Sequence, residues 1–413
     1  MPMADDIAVV RPGFDFTDPD VIVDGIPLAE LAYLRRTAPV WWTTQRDSAF
    51  DDAGYWVVSR HADIKEISRN SQLWSVNQYG APMRLPGSIT PEQLELTKAL
   101  LINHDAPAHT RLRKLISPLF TPRAVSRLEE ALAVAARDIV AKAATKDAGD
   151  FVEDIAANLP LLAIANLIGV PEADWDQLFD WSNIIMNTDD PDFEGDAEAA
   201  NAALMGYAYN MADERRKSPT DDIVSRLINS TVDGEQIGEI EFAFFVILLV
   251  VAGNETTRNA ISHGMNAFLD APEQWEHFKR ERPATAIDEI LRWSTPVHCF
   301  QRTALQDTEV GGMSITEGQR VGLFYSSANF DETVFDGPHE FDVTRNPNPH
   351  LSFGGHGAHY CIGANLARME IGLIFNEIAN QIPDLRKIAE PQRLRSGWIN
   401  GIKELKVTYH PRS

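Results

Sequence analysis

A chain of 413 residues can bury a sizeable apolar core without covalent staples. Its 37 Lys and Arg face 60 Asp and Glu, a formal net charge of −23, which argues against a generic nucleic-acid binder or a protein that adheres to anionic membranes. Hydrophobic residues at 44% and charged residues at 23% are ordinary globular usage and exclude wholesale disorder and fibrous repeats.

In chain order, the acidic start MPMADDIAVVRPGFDFTDPD lacks the basic stretch and apolar run of a secretory leader. Between about 15 and 75, YWVVS and LWSVN read as short strands among helical stretches, because aromatic and β-branched residues favour the pleated conformation. From 107 to 290 the pattern is mostly helical, interrupted by turn signals at Ser117-Pro118, Gly169-Val170-Pro171 and Ser218-Pro219-Thr220-Asp221-Asp222. Strand character returns from Thr308 to Tyr325. A last helix follows Gly363, with Leu366, Met369, Leu373, Ile374 and Ile378 near a 3.6-residue period. No repeat or Ser/Gly linker divides the chain, so the expectation is one unit over 1–413, mainly α with a minor β region. The longest apolar run, Phe242 to Ala252, is shorter than the ~20 residues that cross a bilayer. The two cysteines, Cys299 and Cys361, are too few for a disulfide framework, and a cytoplasmic protein without a transmembrane segment is expected.

The segment most suggestive of chemistry is His350 to Glu370, HLSFGGHGAHYCIGANLARME, where Cys361 lies in a Gly-rich loop running into an amphipathic helix. Loop N–H groups and the helix N-terminus are expected to lower the thiol pKa, and glycines to let a planar cofactor approach the backbone. A haem iron needs such a sulfur ligand. A buried inert thiol is the plain alternative; a zinc site of His356, His359 and Cys361 is another, without a matching second Cys/His pair.

Three further segments carry polar groups at telling spacings. Glu239 to Ala271 reads as one long helix, apolar nearly all round in its first half, with Gly253-Asn254-Glu255-Thr256-Thr257 in its middle. Buried polar side chains there need partners or a purpose; a Thr-softened kink is the alternative. Glu289 and Arg292 stand at i, i+3 on one helix, and His109 and Arg113 at i, i+4 on another. From Ala106 to Leu128 there are five basic residues (Arg111, Arg113, Lys114, Arg123, Arg127) and no acid, which suits an anionic ligand or partner, or an ordinary solvated helix face.

Gly355, Gly357, His359, Cys361, Gly363, Ala367 and Arg368 together resemble the cysteine signature of the cytochrome P450 superfamily, the haem-thiolate monooxygenases. The family's phenylalanine normally stands seven residues before the cysteine; here that position is Gly354, and Phe353 comes one earlier. The resemblance implies the cytochrome P450 fold, haem b as cofactor and Cys361 as the axial ligand of its iron, with Phe353 beneath it. Ala252-Gly253-x-Glu255-Thr256 is similar to the family's oxygen-activation motif. It implies that Ala252 and Gly253 face the haem and that Glu255 and Thr256 deliver protons. His109, Arg113, Arg302 and His359 match the family's haem-propionate partners. Glu289 and Arg292, with downstream Arg345, match its structural triad.

The likeness runs from PGFDFTDPD through HDAPAHTRLRKLISPLFTPRAV and RNPNPH to RLRSGWINGIK. Asn329-Phe330-Asp331 and the displaced phenylalanine resemble the actinobacterial steroid C26/C27-monooxygenases. That subfamily oxidises the terminal methyl of the cholesterol or cholest-4-en-3-one side chain through alcohol and aldehyde to acid. By analogy Met186, Val250, Val297 and Trp398 would touch the substrate, Ala252 lying beside them. Terminal hydroxylation of methyl-branched lipids is the alternative, and a haem sensor the alternative of another class. With no flavin or nicotinamide motif in the chain, electrons are expected from an acidic ferredoxin and its reductase, and O2 as co-substrate.

Overall fold

The computed structural model describes residues 10–410 apart from 51, 221 and 233. The first nine residues of the acidic start, and Asp221 of the expected turn, lie outside the described residues.

A five-stranded sheet forms from β1 (Val40–Thr43), β2 (Tyr55–Val58), β3 (Trp74–Ser75), β4 (Cys299–Ala304) and β5 (Arg320–Phe324), in the order β1-β2-β5-β4-β3. Only β2 and β5 run parallel, with Val57 opposite Gly322; β5 and β4 are antiparallel, with Val321 opposite Arg302. The expected strands at YWVVS and LWSVN are β2 and β3. The second shrinks to two residues because the Asp105 and Ser75 side chains take the Val76 and Asn77 N–H groups beyond it. The 308–325 region yields a hairpin, Thr308–Val310 with Met313–Ile315, before β5.

The helical part carries the larger core. The helices that matter for the site are α1 (His61–Arg69), α2 (Ala108–Ile116), α3 (Asn158–Ile168), α4 (Trp175–Met186), α5 (Ala197–Lys217), α6 (Glu239–Asp270), α7 (Ala286–Ser294) and α8 (Ala364–Gln381). Helix α6 starts where the Glu241 carboxylate accepts from the Gly238 N–H, and its apolar first half is buried on most sides. By length and composition its 32 residues could cross a membrane, yet 61% of its apolar window is buried inside the protein, packed on α3, α4, α5, α7 and α8. Burial of Phe242, Phe245, Val246, Val250 and Ile261 there, at roughly 1.5–3 kcal/mol per large side chain, holds the helix against its neighbours.

Helix α7 and the chain toward Cys361 are joined by an ionic network whose centre, Glu289 with Arg292, is fully buried. Arg292 donates to both oxygens of Glu289, Nη2 to Oε1 at 2.7 Å and Nε to Oε2 at 2.8 Å, and Arg345 Nε reaches Oε2 at 3.1 Å. Asp342 N–H and Asn348 Nδ2 complete the shell at 2.9 Å each. Ser352 then donates to Leu291 O at 2.7 Å, and the Asn329 amide oxygen accepts from Leu351 N–H at 2.7 Å, so the loop that leads to the cysteine is tied to the network.

Candidate functional site

Between α6, α8 and the loops after β3 and α4 lies a cavity of about 1010 Å³. Of the site residues expected from sequence, Cys361, Phe353, His109, Arg113, Arg302, His359, Ala252, Gly253, Thr256, Met186, Val297 and Trp398 line it. Two do not. Val250 is 1% exposed and packs into the helical core, while Leu248, Leu249 and Val251 line the cavity, because each residue turns the helix face by about 100°. Glu255 is fully buried and absent from the lining; Arg258 Nη2 lies 2.5 Å from its carboxylate and Asn259 Nδ2 donates to Oε1 at 2.8 Å. Arg258 is held in turn by Asn183 Oδ1 of α4 at 3.0 Å. Thr256 faces the cavity, and its hydroxyl donates back to Ala252 O at 2.7 Å, the usual resting bond of a mid-helix threonine. Asn254 is fully buried, and among the described residues neither amide atom has a partner.

The cysteine loop is built around close approaches. Cys361 N–H donates to Phe353 O at 3.0 Å, and Arg368 of α8 lies 4.6 Å over the Phe353 ring. Gly357 has φ +103°, and a Cβ there would stand 2.3 Å from Ser68 O of α1, so only glycine fits. A Cβ on Gly355 would meet the Ser68 hydroxyl at 2.3 Å. Gly355 and Gly357 therefore serve the packing of the loop on α1, while Gly354, Gly355 and Gly363 also line the cavity. Gly253 likewise admits Ile164 of α3, whose side chain a Cβ would meet at 2.5 Å.

Cys361 is exposed to the cavity and shielded from bulk water. Burial raises its thiol pKa, outweighing the Gly363 N–H, Arg113 and Arg368, which lower it. The lowered pKa expected from the loop alone is thus overturned for the bare chain; a metal ion's charge is what would make the thiolate there. Around the thiol converge groups that lack an anion. Arg302 is 6% exposed and among the described residues its one side-chain bond is from Nη1 to Gln301 O at 2.6 Å; Arg113 Nη2 donates to Tyr360 O at 2.6 Å. The His109 and His359 rings lie against each other, centroids 4.2 Å apart and tilted by 37°. Burial, then the neighbouring cations, push His109 down to about 4 and His359 to about 2. Buried guanidinium groups without carboxylates are costly and await an anionic ligand. Haem, with a thiolate-binding iron and two propionates, fits this donor set. Among the described residues no group of three or more His, Cys, Asp or Glu could hold a metal ion, so the zinc alternative has no support.

Several residues at the site were not anticipated. Arg258 and Asn259 carry a signal, since polar side chains three and four positions after Glu255 share its helix face. Asn183 had none. The basic run is also thinner than its sequence suggests: Arg111 pairs with Glu241 and Arg113 turns inward, leaving Lys114, Arg123 and Arg127 on the surface.

Comparison with known proteins accords with this geometry. A family model described as Cytochrome P450 matches residues 284–379. The chain is 55% identical to the steroid C26-monooxygenase of Rhodococcus jostii (strain RHA1), over 98% of this chain and 88% of that protein. It is 53% identical to the protein of that name from Mycobacterium tuberculosis (strain ATCC 25618 / H37Rv), over 96% and 93%. Against that organism's methyl-branched lipid omega-hydroxylase the identity is 41%, over 94% and 92%. Among solved structures, a Mycobacterium marinum cytochrome P450 in complex with pseudoionone superposes with a TM-score of 0.89 at 35% identity, covering 97% of this chain and all of that one.

Proposed function

The chain belongs to the cytochrome P450 family, and we propose from that premise that it hydroxylates the terminal methyl carbon of a cholesterol-type side chain and carries the oxidation on toward the acid. It is a haem b monooxygenase that uses O2, electrons from redox partners and a lipophilic substrate. The observation that carries the sterol assignment is the identity of 53–55% to steroid C26-monooxygenases, well above the 41% to the branched-lipid enzyme.

Haem held at Cys361 would supply dioxygen binding and its reductive activation, with electrons from redox partners; the chain's own residues bind, orient and move protons. Arg113, Arg302, His109 and His359 would hold the propionates, which gives each buried cation its anion. An unactivated methyl C–H reacts selectively only when it is held in place, and the cavity walls from Leu248, Val251, Val297, Phe300 and Trp398 orient a long apolar ligand and exclude water. Thr256 would pass a proton from its hydroxyl into the cavity. Glu255, after leaving Arg258 and Asn259, would take a proton from solvent and pass it to the Thr256 oxygen, since its present position faces away from the cavity. Retention of both groups favours an oxygenase over a haem sensor, which needs no proton delivery.

The electron donor in this proposal is an acidic ferredoxin served by its reductase, drawn to Lys114, Arg123 and Arg127 on the exposed side of the α2 region. A reducing cytoplasm suits the two unpaired thiols, Cys299 and Cys361. Optical titration of the ferric protein with cholesterol, cholest-4-en-3-one and a methyl-branched fatty acid tests the assignment. A spin-state shift with sterols at lower concentration than with the fatty acid is expected; the reverse order would move the substrate to branched lipids.

A further inference from the structure

The cavity carries a second polar group, on elements separate from those that hold Cys361. Arg84, from the loop after β3, and Asp189, from the turn between α4 and α5, both line it, next to Trp398. The Trp398 ring stacks on Phe300 at 5.9 Å, and the preceding Gly397 N–H points to Asp189 Oδ2 over a long 3.5 Å. Among the described residues no protein donor reaches Asp189 Oδ1. Burial raises the Asp189 carboxyl, against Arg84, the Gly397 N–H and Arg395, which favour its charged form.

Arg84 is 7% exposed and committed elsewhere. Its Nη1 stands 3.4 Å from Asp15 Oδ2, its Nη2 donates to Asp47 O at 3.1 Å, and among the described residues its Nε has no partner. It is a fixed positive neighbour for Asp189. Asp189 is half-buried, so its free acceptor costs little while water can reach it; a ligand that fills the cavity and excludes water must bring a donor or leave it unpaired.

A sterol is a rigid fused-ring body with a single oxygen at C3, remote from the end of its side chain. With the side-chain methyl at the Cys361 end, that oxygen belongs at a polar part of the lining away from Cys361; Gln93, Asp196, Glu198 and Asn201 line the cavity too, and the assignment to Asp189 beside Trp398 and Arg84 rests on the sterol reading. We propose that Asp189, backed by Arg84, accepts the hydrogen of a C3 hydroxyl, so that this protein favours 3-hydroxysterols over the 3-ketone and over the same skeleton without oxygen. The chemistry is one-sided: a hydroxyl can donate to a carboxylate, whereas a ketone has only lone pairs to present to it. A hydrogen bond to a charged group in a water-poor cavity corresponds to about tenfold in affinity.

The test is a spin-state titration of the haem-loaded protein with cholesterol, cholest-4-en-3-one and cholest-5-ene, in the parent and in Asp189→Asn. The parent is expected to bind cholesterol about tenfold tighter than either other sterol. In Asp189→Asn the gap between cholesterol and the ketone should close, with cholest-5-ene binding unchanged. Equal affinity of the parent for cholesterol and cholest-5-ene, or an undiminished gap in the variant, would overturn the assignment of Asp189. The parental ratio decides the matter even where the variant fails to fold. If no sterol shifts the spin state while a branched fatty acid does, the sterol assignment itself falls, and Asp189 with it.

Discussion

Replacing Glu289 by Gln keeps the volume of the side chain and removes the charge at the centre of the network that leads to Cys361. Glu289 and Arg292 are fully buried and the Arg345 side chain is 9% exposed, so the substitution strands two guanidinium groups out of water. Breaking a buried ion pair from one side costs about 3–5 kcal/mol, because the remaining charge keeps its desolvation penalty and loses its partner. At ~2.1 cal/mol/K per residue, 413 residues carry an unfolding entropy of ~0.9 kcal/mol/K, so the midpoint should fall by about 3–6 °C. Scanning calorimetry at one scan rate measures this, with Glu95→Gln as the comparison. The Lys98–Glu95 pair is solvated, its carboxylate 71% exposed, and its loss should move the midpoint by no more than about 1 °C. The same Glu289→Gln protein should hold less haem after gel filtration, since Ser352 and Asn329 tie the cysteine loop to this network. A Glu289→Gln shift no larger than that of Glu95→Gln would refute the reasoning.

Cys361→Ser should abolish turnover and the thiolate-type spectrum of the reduced carbonyl form; retention of that spectrum would remove Cys361 as the ligand. Thr256→Ala should keep haem and sterol affinity while electrons are consumed without hydroxylated product, read as product formed per electron. Unchanged coupling would count against proton delivery through its hydroxyl. Stability should also depend on pH through a buried histidine. Burial holds His298 down to about 4, with Nε2–H donating to Phe16 O at 3.1 Å and Nδ1 accepting from the Ser326 hydroxyl at 2.6 Å. Its folded pKa lies below the unfolded value, so this contribution to stability is complete above about pH 6.5 and declines as the pH falls toward 4, by about 3 kcal/mol in total. Denaturant unfolding of the parent and of His298→Gln across that range should show a shallower decline in the variant; parallel declines would exclude His298 as the source.

How far the residues alone reach is seen by comparing particular groups. The cysteine loop, the i, i+4 pair of His109 and Arg113 on α2, and the long α6 could be read because each is a local pattern: a ligand beside glycines, or side chains on one helix face. Glu289 and Arg292 belong there too, and their i, i+3 spacing is the geometry of the bidentate pair. Arg345 and Arg302 needed the family likeness, for no local period links either residue to its neighbours in space.

What local pattern could not supply is direction. Val250 and Val251 are equally apolar, and only the rotation of α6 against its packed neighbours decides which of them meets the cavity. Glu255 sits beside Thr256 in sequence but on another face, where Arg258, Asn259 and Asn183 hold it away from the substrate space. The thiol of Cys361 shows the same division. Loop chemistry lowers its pKa and the surrounding fold raises it, and burial, a property of the whole packed chain, is the larger effect. The sequence by itself therefore determined the kind of chemistry, through its cysteine loop, its mid-helix acid and alcohol, and its buried cations. The tertiary structure decided which of those groups face the substrate, because helix rotation, desolvation and contacts between distant loops exist only once the chain is packed.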